Sequence, residues 1–118
     1  MNTYVIYVPT EYGKIKIDCS KIMFIERGEP YSKVYYENEK NAELFITINE
    51  AELLLFDQGF FRCNNDYLVN LRFVQLLFPA NSSKIILESG KEITVELDKK
   101  NEMFDRLCEV FEFHELVS

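Results

Sequence analysis

Alternating polar and apolar residues in the first part of the chain predict a series of short β-strands. Five runs are rich in β-branched and aromatic residues, and turn-forming residues separate them. These runs are 4–8, 14–18, 22–27, 31–36 and 44–48. Pro9 is expected to end the first run, and residues 18–21 are expected to form one helical turn before the third. The pattern therefore predicts an antiparallel meander.

Two segments have helical patterns. Asn49 is followed by Glu52 at the third helical position, which is typical of a capping box, and residues 53–56 are expected to form the buried side of this first helix before Gln58-Gly59 ends it. From Asp98, the expected N-cap, apolar residues recur at three- and four-residue steps towards the C-terminus. This stripe is expected to pack on its own domain, with a homodimer interface as the alternative.

Between the two helices, the stretch 60–71 consists of two apolar runs around Asn64-Asn65-Asp66. Short Asx side chains bond their own backbone, so this polar cluster is expected to form a turn on a stiff base. The residues that follow predict a strand over 72–78, a turn over 79–83 and a hairpin that joins 84–88 to 92–97.

Length and charge limit the functions to consider. The 118 residues are enough for one domain, so we expect a single domain over 1–118. Thirteen basic and twenty acidic residues give a formal net charge of −7, which opposes a general polyanion binder. Most of the excess negative charge lies in 49–59 and from residue 102 onward, and the segment 60–83 is near neutral.

Side chains that support catalysis or bind metals are scarce. Cys19, Cys63 and Cys108 are an odd number at spacings that suit neither a metal site nor a disulfide framework, and His114 has no fixed partner at ligand spacing. We therefore expect no enzyme, no cofactor, no metal and no small-molecule substrate. No stretch approaches a membrane span or a signal peptide, which predicts a cytoplasmic protein without membrane insertion. Cys63 is either a small buried hydrophobe or a redox-sensitive thiol.

The stretch 60–71 resembles the signature of the LytTR-type DNA-binding domain of bacterial response regulators. The positions that fit are Phe60, Arg62, Tyr67, Val69, Asn70 and Leu71. Residues 18–26 resemble the family's entry into its second strand, and residues 86–95 resemble its late hairpin, so that the similarity covers roughly residues 3 to 107. The resemblance implies a mainly β fold, an elongated arrangement of short antiparallel sheets with one short helix in the middle and one C-terminal helix.

The resemblance also implies a set of DNA-binding residues. These candidates are Ser32, Lys33, Arg62, Asn64, Asn65, Lys99 and Lys100. The adjacent amides of Asn64 and Asn65 match the donor and acceptor edge of adenine, the lysines are expected to hold the DNA backbone, and Arg62 either does the same or braces its strand. Glu96 and Leu97 stand where the family has a small polar residue followed by a DNA-contacting Arg.

Two functions are consistent with these residues. The first is a sequence-specific DNA-binding domain of a transcriptional regulator, which inserts loops into the major groove of double-stranded DNA without a recognition helix. The alternative is a LytTR-like scaffold without DNA binding that acts as a protein–protein interaction or dimerisation module, as the acidic balance and Glu96-Leu97 suggest. If the first is right, Lys33, Asn64, Asn65 and Lys99 should share one surface.

Overall fold

Within residues 4–111, antiparallel pairing joins the strands into three sheets, of two, five and three strands. A computed structural model describes residues 4–111. The strands are β1 (Val5–Thr10), β2 (Gly13–Asp18), β3 (Ile22–Arg27), β4 (Ser32–Tyr36), β5 (Asn41–Leu44), β6 (Phe60–Arg62), β7 (Tyr67–Asn70), β8 (Val74–Leu77), β9 (Lys84–Leu87) and β10 (Glu92–Thr94). The helices are α1 (Ile48–Leu54) and α2 (Lys100–Val110), and the domain is elongated, with extents of 52 × 34 × 24 Å. The predicted fold class is therefore confirmed.

The five-stranded sheet has the order β5-β4-β3-β7-β6 and forms the centre of the domain. In β3, Ile25 lies opposite Val34 on one side and Leu68 on the other. This register places the β3–β4 connection and the β6–β7 turn at the same end of the sheet. The backbone N–H of Arg27 joins them by donating to the carbonyl of Asp66 at 2.8 Å.

Each face of the central sheet covers a separate hydrophobic core. Ile25 and Leu68 point into the first core, which the β1–β2 hairpin and α1 complete. Phe24 and Val69 point into the second core, which the three-stranded sheet β10-β9-β8 and α2 complete. A strand that is covered on both faces needs apolar residues at successive positions rather than at alternating ones, which explains why all of Ile22 to Ile25 is buried.

Several strand boundaries differ from the prediction, and β10 ends at Thr94, three residues earlier than expected. β1 continues through Pro9 to Thr10 because Pro9 faces away from β2, where its carbonyl accepts a hydrogen bond from the N–H of Phe45 and its missing N–H breaks no β1–β2 bond. β5 is earlier than expected and ends at Leu44, after which the chain turns towards α1. The predicted strand 72–78 is a 3₁₀ turn at Leu71–Phe73 followed by β8. The turn before β3 is confirmed at Cys19–Lys21.

The first helix begins two residues earlier than predicted. Thr47, not Asn49, is the N-cap: its hydroxyl accepts from the N–H of Glu50 at 3.1 Å, and the Glu50 carboxylate accepts from the N–H of Thr47 at 3.0 Å. This shift turns Ile48 and Ala51 into the first core. The expectation that 53–56 form the buried side is wrong for all but Leu55. The exposed residues are Leu53, Leu54 and Phe56.

The second helix begins at Lys100, after a 3₁₀ turn at Leu97–Lys99, and Asp98 does not cap it. Met103 and Leu107 are buried in the second core, and Phe104 packs edge-on against Phe78 with ring centroids 5.6 Å apart. The apolar stripe of α2 therefore packs on its own domain, as predicted.

Candidate nucleic-acid interface

Three connections meet at one end of the central sheet: 28–31 between β3 and β4, 63–66 between β6 and β7, and 95–99 between β10 and α2. We call these three segments the loop end. The hydrogen bond from Arg27 to Asp66 joins the first two, and the N–H of Glu96 donates to the carbonyl of Cys63 at 3.0 Å to join the last two. Segments that are far apart in sequence are thus held side by side.

Asn64 closes the β6–β7 turn with its side chain. Its Oδ1 accepts from the N–H groups of Asp66 at 2.8 Å and Tyr67 at 3.1 Å, and its Nδ2 donates to the carbonyl of Thr94 at 2.7 Å. Both ends of this amide are engaged within the protein, and the residue is half-buried. The two asparagines are therefore not equivalent, because Asn64 shapes the turn.

Asn65 is the exposed residue of the pair. Its backbone carbonyl accepts from Arg62, but within residues 4–111 its side-chain amide makes no hydrogen bond. A carboxamide that is held on an ordered turn and has no partner in the domain can offer one donor and one acceptor to a ligand.

Arg62 lies beneath this turn, with its side chain only 13% exposed. Its Nε donates to the Asn64 carbonyl at 2.8 Å, and one terminal nitrogen donates to the Asn65 carbonyl at 2.6 Å. The other terminal nitrogen donates to Asn49 Oδ1 at 2.8 Å and to Glu52 Oε1 at 2.9 Å, both on α1. Of the two roles considered for Arg62, these contacts favour bracing.

The two candidates on β4 differ sharply. Ser32 is 1% exposed, and its hydroxyl donates to the carbonyl of Ile46 at 2.9 Å. A buried hydroxyl with a partner in the protein cannot contact a base edge, so the expectation for Ser32 is corrected and we leave it out of the interface. Lys33 is exposed, and its Nζ lies 5.8 Å from the ring centroid of Tyr35.

Lys99 and Lys100 lie in different surroundings despite being adjacent. The Nζ of Lys99 donates to the carbonyl of Arg62 at 3.1 Å and lies 3.9 Å from the Glu96 carboxylate, so Lys99 belongs to the loop end. The Nζ of Lys100 donates to the carbonyl of Ser82 at 3.1 Å, beside the three-stranded sheet. The structure therefore brings Lys99, but not Lys100, together with the asparagine turn.

Acidic side chains surround the cations of the loop end. The acidic residues in and beside it are Glu26, Glu29, Asp66, Glu96 and Asp98. Glu26 is tied down, since its carboxylate accepts from the hydroxyls of Tyr67 at 2.7 Å and Tyr35 at 3.2 Å. Burial, followed by the hydrogen bond to Glu26, raises the pKa of Tyr67 to about 12, so this hydroxyl stays a donor.

The sequence alone did not single out Arg27, the last residue of β3, which lies directly beside the loop end. Its side chain is about half exposed and reaches Glu29 at 3.7 Å. Arg27 and Asn65 line the same polar cleft of about 300 Å³. The signal that could have found Arg27 is its place at the end of a buried strand, directly before the Gly28-Glu29-Pro30 break.

Other candidate chemistry is limited in the part of the chain that the structure describes. Cys63 is buried, and burial raises the pKa of its thiol to about 12, which favours the buried-hydrophobe alternative over a redox-sensitive thiol. Between residues 4 and 111 there is no group of three or more His, Cys, Asp or Glu residues that could hold a metal ion. In the same range, no helix is long and apolar enough to span a membrane. His114 lies outside the described residues.

Comparison with known proteins agrees with this architecture. No curated protein matches the chain. Among solved structures, the chain is similar to the LytTr DNA-binding domain of a methyl-accepting/DNA response regulator from Bacillus cereus, with a TM-score of 0.70 and 23% identity over 91% of this chain and 98% of that one. At this identity the likeness shows a shared fold. The family model described as the LytTr DNA-binding domain matches residues 12–107, most of the sequence, and the chain therefore belongs to that family.

Proposed function

We propose that this domain reads a specific sequence of double-stranded DNA for a transcriptional regulator, by placing the loop end in the major groove. The family is one of DNA-binding domains, and the loop end presents an exposed amide on an ordered turn. Because such a regulator acts on the chromosome, we also propose a cytoplasmic location.

Asn65 is the residue that we propose for base reading. Its carboxamide can donate to N7 and accept from N6 of adenine at once, which is the bidentate pairing typical of Asn in the major groove. The turn is held by Asn64 and Arg62, so that little ordering is left for the moment of binding. The amide of Asn65, exposed and without a hydrogen-bond partner among residues 4–111, is the single observation that supports this function most strongly.

Lys33, Lys99 and Arg27 are the residues that we propose for phosphate contacts. Lys99 lies in the loop end, and Arg27 and Lys33 lie beside it, at the end of β3 and the start of β4. Acidic neighbours reduce the positive potential there. Three contacts predict a slope of about −3 for log K against log salt concentration. The affinity for DNA is therefore expected to be lower than that of a typical DNA-binding domain, and binding is expected to need low salt.

Selection of duplexes from a random pool, followed by fluorescence anisotropy on the selected and a scrambled duplex, tests this function. The Asn65→Ala variant should lose about tenfold to a hundredfold of the preference for the selected duplex. The matched control is Asn41→Ala, an exposed asparagine at the start of β5, at the opposite end of the central sheet from the loop end, which should behave as the wild type. Selection that enriches no sequence, or equal losses for both variants, would contradict the proposal.

One observation favours a second function, that of an interaction or dimerisation module. Leu53, near the end of α1, is 78% exposed, and Phe56, in the turn directly after the helix, is 69% exposed. Two large exposed apolar side chains within four residues are more typical of a contact surface than isolated ones are. Wild-type protein that fails to bind any duplex, but forms a dimer that Leu53→Ser and Phe56→Ser dissociate in light scattering, would establish this function instead.

A further inference from the structure

We infer that Arg62 is a positioning residue for DNA reading, which ties the Asn65 turn to α1 and makes no phosphate contact. This inference rests on the proposed function. It assigns Asn49 and Glu52, two α1 residues with no expected part in DNA binding, to the same task.

The donors of Arg62 are almost all engaged. A guanidinium has five N–H groups, and the four bonds of Arg62 to Asn64, Asn65, Asn49 and Glu52 use all but one of them. A side chain that is 13% exposed and already bonded on three nitrogens would have to break these bonds to reach a phosphate. The planar, forked guanidinium can join two carbonyls of a turn to two side chains of a helix, which an ammonium group cannot do.

The helical side of this bridge is firmly placed. Asn49 and Glu52 lie on α1, which the Thr47–Glu50 capping box begins and which Ile48 and Ala51 anchor in the first core. Glu52 itself is 47% exposed, so its replacement by Gln disturbs no packed interior. The position of Asn65 thus depends on a helix that is more than ten residues away in sequence.

The two possible roles of Arg62, a bridge to α1 and a phosphate contact, predict opposite effects of Glu52→Gln on DNA binding. If Arg62 contacts a phosphate, removal of the competing carboxylate frees the guanidinium and tightens binding to every duplex. If Arg62 is a bridge, the same change loosens the turn and lowers the preference for the selected duplex. The Arg62→Lys variant sharpens the test because it keeps the positive charge but loses the planar, forked guanidinium.

The experiment combines DNA binding with amide hydrogen exchange of the free protein. We expect Arg62→Lys and Glu52→Gln each to lower the ratio of selected to scrambled binding by about tenfold, with the salt slope unchanged. In the absence of DNA, the amides of Asp66 and Tyr67, which bond to Asn64, should exchange at least about tenfold faster. Glu102→Gln, the same charge change on the exposed face of α2, is the control and should change none of these quantities.

The outcomes separate this inference from the proposed function. Three results would each overturn the bridge while DNA reading stands. The first is Glu52→Gln binding every duplex more tightly with the wild-type ratio of selected to scrambled binding. The others are wild-type specificity and salt slope in Arg62→Lys, and unchanged hydrogen exchange of the turn in both variants. A wild type that shows no sequence preference would refute the proposed function, and with it the part of Arg62 in reading, even if the turn exchanges faster in both variants.

Discussion

The β6–β7 turn and the β9–β10 turn both join neighbouring antiparallel strands with a few polar residues, but they are held in different ways. Residues 88–91 close through local contacts, such as the N–H of Gly90 donating to the carbonyl of Leu87. The two ends of this segment also touch other elements, since the N–H of Glu88 donates to the carbonyl of Phe73 at 2.8 Å and the Nζ of Lys91 lies 5.1 Å from the ring centroid of Tyr67. Residues 63–66 are held throughout by residues at least thirty positions away: Asn64 donates to the carbonyl of Thr94 in β10. The carbonyl of Cys63 accepts from the N–H of Glu96, and the carbonyl of Asp66 accepts from the N–H of Arg27. A hairpin needs only the first arrangement. The second is what a recognition loop needs, since contacts from outside the turn fix the direction of an exposed side chain.

The largest effect expected from this difference is on stability. Asn64→Ala removes three hydrogen bonds of the β6–β7 turn and should lower the free energy of unfolding by about 2–3 kcal/mol. Ser89→Ala removes one long bond to the N–H of Lys91 and should change it by less than about 0.5 kcal/mol. Urea denaturation of both variants measures this, and similar losses would show that the two turns are held alike.

Next in size is the effect of Lys99→Ala on DNA binding. Loss of a single phosphate contact at the loop end should weaken binding to all duplexes by a similar factor and reduce the salt slope by about 0.9. Lys84→Ala, at the start of β9, is the control and should leave both unchanged. An Lys99→Ala variant that binds scrambled DNA normally but loses the selected duplex would assign Lys99 to base reading rather than to the backbone.

A smaller effect of opposite sign is expected for Glu96→Gln. Glu96 lies 3.9 Å from the Nζ of Lys99, and Glu92 lies 3.9 Å from the Nζ of Lys84 beside the other turn. Neutralising Glu96 should tighten binding to any duplex by about twofold to fivefold at low salt, whereas Glu92→Gln should not. Anisotropy at low ionic strength measures both, and equal tightening would mean that only net charge matters.

The smallest expected effect concerns alkaline pH. The pKa of Tyr67, directly after the β6–β7 turn, is raised from 10.0 to about 12 by burial and by Glu26. A raised pKa in the folded state means that the stabilising contribution is complete below pH 10 and is lost as pH rises towards 12. Tyr67→Phe should therefore flatten the fall in stability over that window, as thermal unfolding at several pH values would show. A fall of the same steepness in the variant would assign it to other tyrosines.

Local sequence was sufficient to predict the bounds of those elements whose residue pattern fits only one start and one end. The bounds of β3 were predicted because the apolar run 22–25 and the two charged residues after it lead directly into the Gly28-Glu29-Pro30 break. The start of α1 was not predicted correctly, because Thr47 with Glu50 and Asn49 with Glu52 are both capping-box patterns. Only the first core, which takes up Ile48 and Ala51, decides between them.

The residues of the candidate site also divide into those that local sequence predicts and those that contacts with distant segments decide. Exposure of Asn65 on a polar turn follows from its neighbours in sequence, and it was predicted. The engagement of Asn64 by Thr94, of Ser32 by Ile46 and of Arg62 by α1 depends on contacts between distant segments, which residue types and spacing do not reveal.

The most direct test of the central claim is a titration of ¹⁵N-labelled protein with the selected duplex, followed by NMR. DNA reading by the loop end predicts saturable shifts that are largest at 27–33, 63–66 and 95–99, including the side-chain amide of Asn65. Shifts that concentrate on Leu53 and Phe56, at and just after the end of α1, or that fail to saturate, would contradict it.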